Sequence, residues 1–412
     1  MRDERSNREK RRRRRLKNQI LAYLVLIIII VLIGGAGYLG VKGVIRYVNN
    51  YNDKVDRVIQ EAESGASVEQ GSEADNTADQ GSSVEYNEEG YMSPNDGDQF
   101  DSMIQNLLSG MTIEEMIAGM FIVSPESITG VETAVRAGDG TKTAITQNPV
   151  GGIIYKAKNF NASEQFAEMI GNTQSFSKYP LIMAVKAECG TADFGLAATA
   201  KATELTDTDS VKQAYGSIAS ALTGYGINMN LAPTAEFLSG GGDAVLLVNA
   251  AVQSMQEAGI SAALQKFPCA DAGSKSLEEL KDSGFAIYDS AIKNGVDCIM
   301  VSHDQANGVT GDDTPSSLSS VMINDVLRNT LGFTGVVMTD YLDDSVITEN
   351  YSSAEAAVAA IQAGADILLS PENYQEAYEG VLQAVTDGII TQERIHESIY
   401  RIYRVKYKNA LK

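Results

Sequence analysis

The sequence predicts an α/β protein, a (β/α)8 TIM-type barrel over residues 99–412, preceded by one transmembrane helix and a flexible stalk. Three observations carry this reading. The stretch Ile20 to Val41 runs 22 residues without a charge. From about Asn49 to Gly97 the chain is rich in Gly, Ser, Asn and acid and has no sustained apolar period. Beyond it, eight short apolar runs alternate with helical ones. Strands that are apolar throughout are buried on both faces, and helices between them imply parallel crossovers. A doubly wound open sheet is the competing arrangement, but no glycine-rich phosphate loop opens the first helix, which weakens its nucleotide-binding form.

Residues 1–19 hold ten Arg or Lys against three Asp or Glu, a charge of +7, so with a total of −21 the remainder carries −28. At ~1.5 Å rise per residue, the 22 residues of Ile20–Val41 span the ~30 Å hydrocarbon layer. A cleaved signal peptide is the alternative, although this apolar core is longer than the usual ~7 to 15 residues. Because Arg11–Arg15 and Lys17 directly precede the span, the predicted topology is single-pass in the plasma membrane, with the N-terminus cytoplasmic and the barrel extracytoplasmic. The basic run suits anionic headgroups, and the acidic exterior argues against nucleic acid as a partner. Residues 42–98 then read as an acidic stalk that cannot bury enough surface to offset its chain entropy.

Within the barrel region, capping boxes at Thr112–Glu115 and Ser352–Glu355 mark helix starts, and Gly226, Gly259, Gly295 and Gly364 mark helix ends. The strand runs are 120–124, 151–157, 181–187, 227–233, 261–267, 298–303, 335–340 and 365–370. In such a barrel the residues at the C-terminal strand ends form the site. Here they are Ser124 and Glu126, Lys156, Lys186 and Glu188, then Glu236, Lys266, Asp271, His303, Asp304, Asp340 and Ser370. Paired carboxylates at a barrel mouth are the equipment of glycoside hydrolysis. With His303 and His396 the only histidines, a zinc site is poorly supplied, and no GxSxG elbow offers a serine nucleophile. No metal or other cofactor is expected.

MTIEEMIAGMFIVS, NPVGGIIYKAKN, DDTPSSLSSVMINDVLRNTLGFTGVVMTDYL and ITQERIHESIYRIYRVKYK together resemble glycoside hydrolase family 3, in its single-domain bacterial β-N-acetylhexosaminidase branch. The resemblance implies a barrel and a retaining double displacement, with the TD-motif acid, Asp340, as nucleophile. Other positions depart from the family pattern. Where the branch protonates the leaving oxygen through a histidine on a long loop after strand five, this chain reads QKFPCADAGSKSLEEL, with Gln265 and Lys266 at the family's Lys and His and no histidine following. Where the family has AVDQEGG after strand three, this chain has AVKAECG and therefore Lys186.

The carry-over makes Lys186, Glu188, Lys266 and His303 the expected substrate-binding residues, with Asp271 or Glu188 as a relocated acid. Cys189 and Cys269 stand where the family motif has glycines, on loops over one mouth, and an exterior compartment permits them to pair. The expected function is a membrane-anchored, weakly active or non-catalytic binder of a glycan or an anionic cell-wall polymer, the mouth lysines suiting the latter. An active β-N-acetylhexosaminidase, a docking module for a protein partner and a plain spacer are the alternatives.

Overall fold

The computed structural model describes residues 94–408, apart from 198, 239–242 and 270. The basic tail, the transmembrane helix 20–41 and the stalk as far as residue 93 lie outside the described residues. The first described helix, Pro94–Ser109, begins inside the stretch assigned to the stalk, so the last five stalk residues are helical instead. Its Phe100, Ile104, Leu107 and Leu108 are buried, which is what draws these residues into the domain.

Eight parallel strands close a barrel in chain order. They are β1 Phe121–Val123, β2 Gly152–Tyr155, β3 Ile182–Val185 and β4 Met229–Asn230. After these come β5 Ser261–Phe267, β6 Cys298–Val301, β7 Val336–Tyr341 and β8 Ile367–Leu369. Each falls within one of the eight apolar runs, except that β7 extends one residue beyond its run, to Tyr341. Closure comes from β1 lying against β8, Phe121 opposite Leu368 and Ile122 opposite Leu369. The open-sheet alternative is therefore excluded.

Helix boundaries follow local chemistry. Thr112 accepts from Glu115 N while Glu115 accepts from Thr112 N, and Ser352 with Glu355 does the same. Gly226 at φ 87° and Gly364 at φ 114° close their helices in the left-handed region that only glycine enters without strain. The crossover into β7, Val321–Thr330, is wound with i→i+5 bonds, Leu331 N donating to Val326 O at 2.9 Å.

Strand β4 has two residues, and two asparagines extend its hold on β3. Asn228 accepts from Met183 N at 2.8 Å and donates to Leu181 O at 3.0 Å. Asn230, fully buried, accepts from Ala187 N and donates to Ala187 O, both at 2.9 Å. These side chains supply what a longer ladder would, since buried backbone groups must be paired. The second clamp fixes the chain between Lys186 and Glu188, which leads to the mouth.

Candidate active site

A cavity of about 750 Å³ opens where the strands end, lined from β2 by Tyr155 and Lys156, from the turn after β3 by Lys186 and Glu188, and from β7 by Asp340 and Tyr341. Asp193, Asp343 and Asp344 complete its acidic wall. Asp340 is half-buried at the point where β7, buried through Thr339, emerges. Its Oδ1 accepts from Tyr341 N at 2.9 Å, which orients the carboxylate and leaves Oδ2 for a ligand.

His303 is buried beside this strand end, and the structure corrects its expected role. Its Nε2 lies 2.9 Å from Tyr341 O and its Nδ1 lies 2.7 Å from Ser317 Oγ. A carbonyl can only accept, so Nε2 carries the proton and Nδ1 accepts from the serine. Both nitrogens are thus spent on the protein. His303 holds the Asp340–Tyr341 strand end in place and does not bind substrate.

Glu188 is corrected in part: burial raises its carboxyl, as a relocated acid would require, but its oxygens are committed to the protein. It touches the cavity, yet Oε2 accepts from Tyr215 OH and Oε1 from Thr234 N, each at 2.6 Å. It ties the turns after β3 and β4 to the helix Thr208–Tyr225. Burial pushes its carboxyl up, and the bonds from Tyr215 and Thr234 pull it down by less. A carboxyl raised on folding favours the native state most below its unfolded value, and that contribution is lost as pH rises through the folded value. The Glu188→Gln variant keeps the shape without the buried charge, so its urea midpoint relative to the parent is expected to be higher at pH 7 than at pH 4. A gap that moves the other way would mean that Tyr215 and Thr234 more than compensate the burial.

Lys186 Nζ donates to Gln265 Oε1 at 2.9 Å. At the two corresponding positions the family pattern has Asp and Lys, so both residues of this contact differ in type from that pattern. Gln265 Nε2 in turn donates to Leu231 O. Lys266 is not among the residues that line the cavity, contrary to expectation; it sits at φ 74° where β5 shifts register. Lys156, which the expected binding set omitted, lies over the Tyr341 ring at 5.4 Å.

Asp271 does not serve as a relocated acid. It is exposed, paired with Lys275 at 2.5 Å, and that hydrogen bond holds its carboxyl below the ordinary range, so it carries no proton to deliver near neutrality. It is also absent from the cavity lining. The Cys189–Cys269 bridge is not formed; all three cysteines are free. Cys269 Sγ donates to Asp271 Oδ1 at 3.3 Å, while Cys189 is packed against Glu188 and Tyr215. Burial pushes both thiols up to about 12, so neither is a reactive thiolate at pH 7.

A closed eight-strand barrel with an aspartate emerging from β7 agrees with the family that the motifs resemble, and the model of the glycosyl hydrolase family 3 N-terminal domain matches residues 112–405. The chain belongs to glycoside hydrolase family 3. It is 26% identical over 296 residues to a β-N-acetylglucosaminidase/β-glucosidase of Cellulomonas fimi, a match that covers 62% of this chain and 52% of that protein. It is 27% identical over 275 residues to a β-hexosaminidase of Photobacterium profundum, covering 60% of this chain and 80% of the relative. A solved family 3 β-N-acetylglucosaminidase of Paenibacillus sp. superposes with a TM-score of 0.65 at 27% identity, covering 73% of this chain and 63% of that one. This family 3 chain thus spans about half the length of the Cellulomonas relative.

Sequence reasoning missed Asp343, Asp344 and Tyr215. Asp343 and Asp344 follow Asp340 closely enough to read as an ordinary solvated loop. Tyr215 sits on a helix whose apolar face gives no sign of a bond to Glu188.

Proposed function

We propose that this family 3 barrel binds a β-linked amino-sugar glycan at its mouth and cleaves it poorly or not at all. The observation that carries the reading is an incomplete pair. Asp340 faces the cavity, whereas the loop after β5 brings no proton donor into its lining, its one acid being exposed and ion-paired to Lys275. General acid catalysis is worth about 10² to 10⁴ in rate, so its loss leaves binding as the larger effect. The names of the relatives support an amino sugar. The acidic wall disfavours the anionic wall polymer that the lysines alone suggested.

The uncharged stretch 20–41 beside Arg11–Arg15 supports a plasma-membrane anchor with the barrel outside the cytoplasm, where wall and surface glycans are in reach. A docking role for a protein partner has no observation of its own. The test is calorimetric titration of the full chain with a β-1,4-linked N-acetylglucosamine tetramer, with chromatography of the sugar afterwards. Binding with the tetramer recovered intact is expected. Prompt hydrolysis would replace this reading by the active β-N-acetylhexosaminidase. One observation favours that second reading: burial pushes the Asp343 carboxyl up, in the same cavity as Asp340.

A further inference from the structure

The charge of the cavity goes beyond the class of glycan. Five carboxylate side chains line it, Glu188, Asp193, Asp340, Asp343 and Asp344, against two ammonium groups, Lys156 and Lys186. The two lysines offset only part of the excess. Lys186 is engaged by Gln265, and Lys156 sits over the Tyr341 ring. Glu188 is buried with both oxygens bonded, so its charge is directed at Tyr215 and Thr234. That leaves Asp340, Asp343 and Asp344 converging from one strand end and its loop, with Asp193 opposite on the turn after β3.

Asp344 is held in place, its Oδ1 accepting from Val346 N at 3.0 Å. Asp343 is raised chiefly by burial; Lys156 is the strongest charge acting on it and pulls it down, against smaller upward pushes from Asp344 and Glu372. With Glu188 set aside, four aspartates still face two lysines in the lining, so negative charge is in excess at this wall. An uncharged N-acetyl group does nothing to relieve it, and a carboxylated polymer adds to it.

We propose that the glycan taken by this cavity carries unacetylated, protonated amino groups, as de-N-acetylated glucosamine does, and that an ammonium seats against Asp343 and Asp344. The inference rests on the glycan reading above and names the substrate within it. A unit charge about 4 Å from an unbalanced carboxylate at a partly solvated site gains enough to change affinity by about tenfold.

The test is titration of the full chain with four probes: a glucosamine tetramer, its fully N-acetylated counterpart, an oligogalacturonate and tetralysine. The glucosamine tetramer is expected to bind about tenfold tighter than the acetylated one. Its advantage should shrink with added salt, fade as the amines lose their protons at alkaline pH, and be abolished in the Asp343→Asn, Asp344→Asn double variant. Both residues sit in the loop after β7, and an unchanged circular dichroism melt shows that the variant folds. Equal or tighter binding of the acetylated tetramer overturns the charge assignment while leaving the glycan reading standing. Tighter binding of oligogalacturonate overturns the sign of the preferred charge. Tetralysine binding as well as the glucosamine tetramer, or an advantage that survives in the double variant, shows diffuse attraction to an acidic surface and overturns the site. Failure of both sugars to bind overturns the glycan reading and this inference with it.

Discussion

Replacing Asp366 by alanine is expected to lower the stability of the barrel by about 3 to 5 kcal/mol, the range for removing one partner of a buried ion pair. Asp366 is fully buried immediately before β8, at the end of the barrel opposite the mouth. Its Oδ2 meets Arg328 Nη2 at 2.6 Å and accepts from Val337 N at 3.0 Å. Its Oδ1 meets Arg401 at 3.1 Å and Arg394 at 3.5 Å, and accepts from Ser398 Oγ at 2.8 Å. One carboxylate thus ties the crossover before β7 and the C-terminal helix Gln392–Tyr407 to the barrel floor.

Without it, three guanidinium groups face one another with Glu397 alone nearby, 3.5 Å from Arg401. Asp366→Asn separates the two contributions. The amide keeps one oxygen acceptor, enough for Val337 N, turns an NH2 toward Ser398 Oγ and loses the charge, so it should be nearly as damaging as alanine if charge balance dominates. Removing one arginine, as in Arg394→Leu, should cost less, because two cations remain for one anion. Urea midpoints of the full chain and the three variants check the order. An alanine variant within about 1 kcal/mol of the parent would show that the arginines reach solvent instead.

The barrel was legible because its signals are local. Eight apolar runs, the cap glycines at Gly226 and Gly364, and the capping boxes at Thr112 and Ser352 each act within a few residues, and all point to one architecture. Asp366 was not legible, since ADILLS reads as a strand with an acid at its edge and the three arginines arrive from distant positions. The same division runs through the site. Asp340 was found because a strand end and a family motif coincide there. Glu188 and His303 were found as positions and misread as ligands. Their roles depend on Tyr215, Thr234, Ser317 and the Tyr341 carbonyl, partners that only tertiary packing supplies. Lys186 was read alone as a positive charge at the mouth; its meaning changed once Gln265 was found bonded to it and three aspartates were found opposite.

The largest effect on chemistry is expected to depend on the leaving group. In the proposed reading, attack by Asp340 Oδ2 on the anomeric carbon breaks the bond to the glycosidic oxygen, which departs with the electron pair and needs a proton unless it is already a stable anion. A dinitrophenolate needs none; a sugar or methyl alkoxide does. With Asp340 in place and no donor delivered by the loop after β5, the full chain should turn over a dinitrophenyl β-glycoside of N-acetylglucosamine or glucosamine measurably. The methyl glycoside should be slower by more than the ~10² to 10⁴ that an acid normally supplies, because intrinsic reactivity adds to the missing catalysis. In the proposed reading no base activates water in the second half of the reaction, so azide, which needs no base, should accelerate release and yield a β-glycosyl azide with retained configuration. Asp340→Ala should abolish turnover of both substrates without azide, and any glycosyl azide the variant forms should have the inverted, α configuration. Comparable rates for the two leaving groups would instead reveal an acid at work in the cavity. Asp343, whose carboxyl is raised by burial beside Asp340, is then the residue whose change to Asn should restore the dependence on leaving group.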